Sequence, residues 1–340
     1  MRDTVIYGGG FHLLIFIIRR IILMVPTIII ISIISFIIIQ APPGDYVTAY
    51  IARVQASTNQ LLKQEAIEAL RARYGVDQPV YVQYFKWVWR ILHGDLGMSM
   101  QWNQPVSTLI AERVPWSILL ASLALVFVYA VSIPIGMLSA THQYSIRDYI
   151  FTFIGFIGLA LPNFLLALVF LWLYFVYTGN AALGLFSPEF QNATWLPKLV
   201  DLLKHLWMPI IIIGTAGTAG TIRVMRANLL DELQKPYVMM ARAKGLSERK
   251  VLYKYPFRIA INPIISTIGW ILPALISGEV LVSLVLGIPT IGPLFLNSLL
   301  MQDMYLAGSI VFILSLLTVI GTLISDILLA WVDPRIRESI

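Results

Sequence analysis

Six stretches of this chain are each apolar for long enough to cross a lipid bilayer, and this limits its fold more than any single motif. A hydrocarbon core about 30 Å thick takes about 20 consecutive apolar residues in a helix. Residues 19–40, 116–139, 150–177, 206–224, 264–287 and 306–332 meet that length. Helices in soluble cores do not stay this apolar for so long. The expected fold is therefore all-α and integral to a membrane, with six transmembrane helices. Composition agrees, since 58% of the residues are hydrophobic and 12% charged, against about 25% charged in an ordinary soluble domain.

The first run follows Arg19 and Arg20 and outlasts the roughly 7–15 residues of a signal-peptide core. It passes into QAPPGD with no small-x-small cleavage site before Pro42. It reads as an uncleaved signal anchor.

Six spans put both termini on one side of the membrane. On that side fall Arg2, Arg19, Arg20, Arg147, Arg335, Arg337 and the nine Lys/Arg from Arg223 to Arg258, 15 in all. The other side carries nine, of which seven lie in the 75-residue loop 41–115. Orientation follows the short loops, because long ones translocate regardless of charge. The termini are thus expected in the cytoplasm, in a multi-pass protein of the inner (cytoplasmic) cell membrane. Orientation also accounts for the net charge of +6 without invoking nucleic acid. Four parts result: a cytoplasmic N-terminus and first span (1–40), an external helical loop domain (41–115), a five-helix core (116–332) with a cytoplasmic loop at 225–258, and a cytoplasmic tail (333–340).

The external loop is expected to hold two helices. STNQLLKQEAIEALRARYG places Leu62, Ala66, Ala69, Leu70 and Tyr74 near helical spacing, with caps offered by Ser57–Asn59 and a closing Gly75. DQPVYVQYFKWVWRILHG has Asp77 at or near its cap, Pro79 near its first turn and Gly94 at its end. Its Tyr81, Tyr84, Phe85, Trp87 and Trp89 suit an interfacial aromatic belt, a cap packed on the spans, or a substrate contact.

The cytoplasmic loop contains YVMMARAKGLSERKVLYKYPFR, six basic residues against one acid. Pro236 suits the first turn of a helix reaching about Lys244. Gly245 stands where a left-handed residue is needed, and Leu246 follows as the hydrophobic contact of that turn. Ser247 then caps a second helix with Glu248 in its first turn. Such an insert fits docking of another protein against its small residues, Ala241 and Ala243. It fits equally a basic face held at an anionic leaflet.

Within the spans, Gly214, Gly217 and Gly220 form either a close-packing face or a glycine-lined stretch of pathway wall. The intramembrane acids are Glu279 and Asp326, and a charge at mid-bilayer costs about 3 kcal/mol, so Glu279 should face protein or water. Asn163, beside the kink of Pro162, lines a route or bonds to a neighbouring helix. The expected pathway residues are Asn163 and Glu279, then Thr215 and Thr218.

Catalytic patterns are missing. No GxxxxGK[ST] phosphate loop, HExxH or GxSxG occurs, there is no cysteine, and the four histidines lie in four separate segments. No active site and no metal site is expected.

Four ordered segments carry a family resemblance. FIIRRIILMVPTIIIISIISFIIIQAPPGD resembles an N-terminal span running into an APGDP signature, with Pro43 inserted and Tyr46 in place of the usual proline. YGVDQPVYVQYFKWVWRILHGDLGMSM is similar to the family's external segment with its HGDLG. YVMMARAKGLSERKVLYKYPFR resembles its cytoplasmic coupling loop, and WVDPRIR its C-terminal signature. Together they resemble the membrane permease subunits of binding-protein-dependent ATP-binding-cassette importers, of the dipeptide/oligopeptide/nickel type.

That resemblance implies a short coupling helix at 237–244, docked in a groove of an ATPase. Ala241, Arg242, Ala243, Lys244 and Gly245 are its matching residues, with Tyr237, Met240 and Leu246 beside them. Met239-Met240-Ala241 stands where importers more broadly carry EAA, and Phe257-Arg258 where they carry LP, as is common in the peptide branch. The resemblance further implies a second, homologous permease, two ATPases that hold the ATP and Mg, and an external solute-binding protein. This chain would bind no cofactor itself. The cargo would be peptides or a related solute, an oligosaccharide or nickel. The alternatives are a secondary transporter or channel working without an ATPase, an intramembrane enzyme, and a scaffold that moves nothing.

Overall fold

The computed structural model describes residues 5–40, 46–58, 63–74, 77–99, 101–190 and 193–332. Arg2, the QAPPGD motif beyond Gln40, Asn59, Leu62, Gly75 and the tail 333–340 with Arg335 and Arg337 lie outside the described residues. The described elements are helices, and one isolated antiparallel bridge joins Met98 to Pro105.

The chain begins with α1 (Val5–Gln40), which passes through Pro26 without ending. Three shorter helices follow, α2 (Tyr46–Thr58), α3 (Gln64–Tyr74) and α4 (Val80–Leu92). Then come α5 (Val106–Thr141), α6 (Ile146–Ala160), α7 (Asn163–Thr178) and α8 (Trp195–Leu233). The run α9 (Pro236–Ala243), α10 (Glu248–Lys254), α11 (Pro256–Ala260), α12 (Asn262–Ser266), α13 (Ile268–Gly278) and α14 (Val280–Leu286) leads to α15 (Ile291–Leu300) and α16 (Met304–Val332).

Four of these, α1, α5, α8 and α16, are each long and apolar enough to cross a membrane; α6–α7 and α14–α15 raise the number to six if each bent pair is one span. The pairs bend by 100° and 99°. Proline supplies the first bend, since Pro162 excludes its predecessor from a helix and itself takes an extended ψ of 133° as the N-cap of α7. Glycine supplies the second, with Gly287 at φ +65°.

The expected fifth span, 264–287, is not one uniform helix. It is divided at Thr267 and Glu279, which keep right-handed backbone angles. The Thr267 hydroxyl donates to the Ile264 carbonyl at 2.7 Å, a back-bond that bends helices. Gly278, a weak helix former, precedes the second joint.

The core is built on α5 against α8. Small residues let their backbones approach: a Cβ on Gly214 would lie 2.4 Å from the Phe127 ring, and one on Gly136 would lie 2.6 Å from Met225. The Ser132 hydroxyl, buried between the two helices, donates to the Thr218 carbonyl at 3.2 Å. On the other side α1 packs along α16, where a Cβ on Gly308 would meet Ile39 at 2.2 Å. Asp326 on α16 has a basic partner there, Arg20 of α1, at 3.2 Å.

Between α1 and α5 the structure differs from the expectation in detail. Ser57 closes α2 rather than opening α3. Asp77 does not cap α4, whose N-cap is Pro79; its carboxylate instead accepts from Arg71 at 2.9 Å. After Gly94 (φ +78°), the chain is tied to the start of α16. The buried Asp303 carboxylate accepts from the Ser99 hydroxyl at 2.5 Å and the Gln101 amide at 3.1 Å.

Candidate functional site

The basic loop folds as a compact unit. Pro236 occupies the first turn of α9 after Lys235, the N-cap. At the other end the Leu246 N–H donates to the Ala241 carbonyl at 3.4 Å and the Gly245 N–H to the Arg242 carbonyl at 2.9 Å. That pair of bonds, with Gly245 at φ +76°, is a Schellman closure. It reverses the chain into α10. Ser247 stands at the N-cap of α10 without a side-chain bond to it. Glu248 reaches back instead and accepts from Arg242 Nε at 3.0 Å, clasping α9 to α10 across the turn.

The unit has its own small core. Val238, Ala241 and Val251 are buried together, with Tyr237, Leu246 and Tyr255 packed around them. The Tyr237 hydroxyl also donates to the Glu232 carboxylate near the end of α8. This sorts the residues singled out from sequence. Tyr237, Ala241 and Leu246 point inward and shape the unit, whereas Met240, Arg242, Ala243, Lys244 and Gly245 are exposed. Ala241 is 5% exposed, while its neighbours Met239 and Met240 are 57% and 60% exposed. Met239, read from sequence only as part of the EAA-equivalent segment and not as a coupling residue, stands exposed beside Met240.

The unit is joined to the spans. Ala260 of α11 and Ile264 of α12 are buried against Met225 and Leu229 of α8 and Met137 and Ala140 of α5. The α9–α10 unit is thus continuous in sequence, through α11 and α12, with contacts at the ends of both central helices.

Beside those helices lies a cleft of about 420 Å³, walled by α5, α6, α7, α8, α12 and α13. Its lining is apolar or glycine except for Asn163, Thr221 and Thr267, and it includes no charged side chain among the described residues. Gly220 and Gly278 line it, and a Cβ on either would meet nothing within 4 Å. The glycine row of α8 thus serves both expected uses: Gly214 packs on α5 and Gly220 opens to the cleft.

Of the four expected pathway residues, Asn163 lines this cleft. The Thr215 methyl packs where a Cβ of Gly158 would stand, at 2.6 Å, and its hydroxyl donates to the Ile211 carbonyl at 2.5 Å. The Thr218 hydroxyl donates to the Thr215 carbonyl at 2.7 Å. Glu279 is fully buried, with the hydroxyls of Ser117 and Thr290 beside it. Thr221 and Thr267 were not singled out from sequence, and no local pattern marks them.

Comparison with known proteins bears on the whole chain. Residues 132–338 match the family model described as binding-protein-dependent transport system inner membrane component. The chain belongs to this family. Residues 13–121 match the companion N-terminal model of the same systems. The oligopeptide transport system permease protein AppB of Bacillus subtilis is 37% identical, over 95% of this chain and 99% of its own length. A putative peptide permease protein of Brucella ovis is 31% identical over 91% and 94%. The peptidoglycan transport system permease protein YejB of Agrobacterium fabrum is 31% identical over 89% and 92%. This family member is thus a multi-pass membrane transport permease and not an enzyme.

Proposed function

We propose that this chain is one of two permease subunits through which an ATP-binding-cassette importer admits peptides. A solute-binding protein outside the inner membrane delivers the cargo. In this reading there are six spans, the termini and the α9–α10 unit are cytoplasmic, residues 41–115 are external, and 116–332 form the transport core. ATP and Mg belong to two separate ATPase subunits. The names of the relatives support peptide as the cargo. The asymmetric lining of the cleft is compatible with it: three amide or hydroxyl groups suit a peptide backbone, and glycine and apolar walls tolerate varied side chains.

The observation that carries the proposal is the outward face of α9. Met239, Met240, Ala243 and Lys244 stand on a helix fixed from behind by Val238, Ala241 and Val251. An ATPase groove seated on that face moves α9 and α10 as a body. The contacts of α11 and α12 then pass the movement to α8 and α5, which wall the cleft. ATP biases the transporter toward one state only insofar as the closed ATPase pair binds that state better.

The test is co-purification with co-expressed partners. Met240→Asp with Ala243→Asp alters only outward positions and is expected to lose the ATPases while keeping the second permease. Retention of the ATPases at wild-type level, or failure of any ATPase to co-purify with wild type, would sink the proposal.

A further inference from the structure

We infer that α4 is an in-plane membrane helix, seated in the leaflet at which α1 ends, with phospholipid covering its outward face. The inference rests on α1 crossing the bilayer and not on the nature of the cargo.

Two inter-helix bonds fix its depth. The Tyr84 hydroxyl pairs with the Ser32 hydroxyl of α1 at 2.7 Å, and Gln83 accepts from the side chain of Gln40, the last residue of α1, at 2.8 Å. Ser32 lies eight residues inside that end, a depth of about 12 Å along the helix axis. Between them Phe36 of α1 packs against both Tyr84 and Trp87. Helix α4 therefore lies against the last two turns of a transmembrane helix, at the level of the lipid and not above it.

Its faces match that position. At about 100° per residue, Trp87, Ile91, Tyr84 and Val88 fall on one arc and pack into the core. Next to it, within about 80°, come Tyr81, Leu92, Phe85 and Trp89, each 65% or more exposed. The remaining arc opens with Val82 at its border with Trp89 and then holds Lys86, Arg90 and Gln83. Three sectors result, one against protein, one apolar and open, one polar. The helix that α4 packs against is itself apolar and exposed, with Ile29, Ile33 and Ile37 among its open side chains. Tyrosine and tryptophan beside a lysine are the side chains preferred where acyl chains meet headgroups. Burying this sector in lipid removes it from water, whereas an aqueous face of four large apolar groups would be an association hazard.

The native chain lacks cysteine, so single cysteines can be introduced for spin labels in the complete transporter, its partners made cysteine-free, in phosphatidylcholine–phosphatidylglycerol vesicles. Labels at Phe85→Cys and Trp89→Cys are expected to collide with oxygen in preference to a water-soluble nickel chelate, as does a label at Ile30→Cys on α1. A label at Glu68→Cys on α3 should show the reverse preference. Collision mainly with nickel at 85 and 89 would overturn the inference in favour of a water-facing helix. Immobilised labels shielded from both reagents would overturn it in favour of a protein partner. Should Trp89→Cys fail to assemble, Leu92→Cys samples the same sector. Loss of ATPase binding in unlabelled wild type would count against the importer reading and leave this measurement standing.

Discussion

Arg226 of α8 grips Asp148 of α6 with two nitrogens, Nε 3.1 Å from Oδ1 and Nη2 2.9 Å from Oδ2. Asp148 is buried at the start of α6 and also accepts from the Tyr144 N–H at 3.0 Å. The pair thereby fixes where the third apolar run begins relative to the central helices. Replacing Arg226 by methionine leaves the carboxylate buried without its main donor. Because Arg226 is partly exposed, a loss of about 2 kcal/mol is expected, below that for a fully buried pair. Lysine at 226 recovers part of it, lacking the two-pronged geometry. Thermal unfolding of the purified complex, with Asp148→Asn in a double-mutant cycle, measures the coupling directly.

Gly214 and Gly220 stand on the same helix and should respond in opposite ways. Gly214→Ala drives a methyl into Phe127 and is expected to destabilise by about 1–3 kcal/mol. Gly220→Leu meets open space, so the fold and ATPase binding should survive. Uptake, however, should fall several-fold as the side chain fills the cleft. Normal uptake by a stable Gly220→Leu variant would remove the cleft from the transport route.

The turn between α9 and α10 depends on conformation and not on space, since nothing lies within 4 Å of a Cβ at Gly245. Gly245→Ala is expected to cost about 1–2 kcal/mol for the left-handed backbone, and Gly245→Asn less. ATPase co-purification should weaken in the same order. Equal binding by both variants would mean that the turn geometry is not transmitted.

Asp303→Asn should loosen the segment before α5. Oδ2 of the buried carboxylate accepts from both Ser99 and Gln101 while Oδ1 faces the Leu306 N–H at 3.4 Å, so an amide must turn its NH2 toward one side and leave a donor there unpaired. The unpaired donor costs about 1–3 kcal/mol. Faster proteolysis within residues 94–105, with little change in the melting of the spans, is the expected result.

What was legible in the sequence was local. Pro236, Gly245 and Leu246 announced the turn because each acts through its own backbone angle or its immediate neighbours. The inward direction of Ala241 was not legible, because α10 decides it by bringing Val251 across the turn. Pro162 marked a break, yet its angle follows from how α6 and α7 pack on α8. The run 264–287 read as one span because apolarity does not register the back-bond of Thr267. Likewise Gly214 and Gly220 are the same letter, and only the placement of Phe127 tells a packed glycine from an open one. Helix α2 was missed because 46–58 carries no strong apolar period.

The two exposed methionines on α9 set how firmly any partner can be held there. Methionine is unbranched and polarizable, and it keeps its contacts by changing rotamer when the opposing surface tilts. A rigid aliphatic patch in the same place would give a keyed fit, released when the angle changed. On the proposed docking reading, Met239 and Met240, raised on a helix braced from behind, would act as a swivelling bearing that keeps its contacts while the partner tilts.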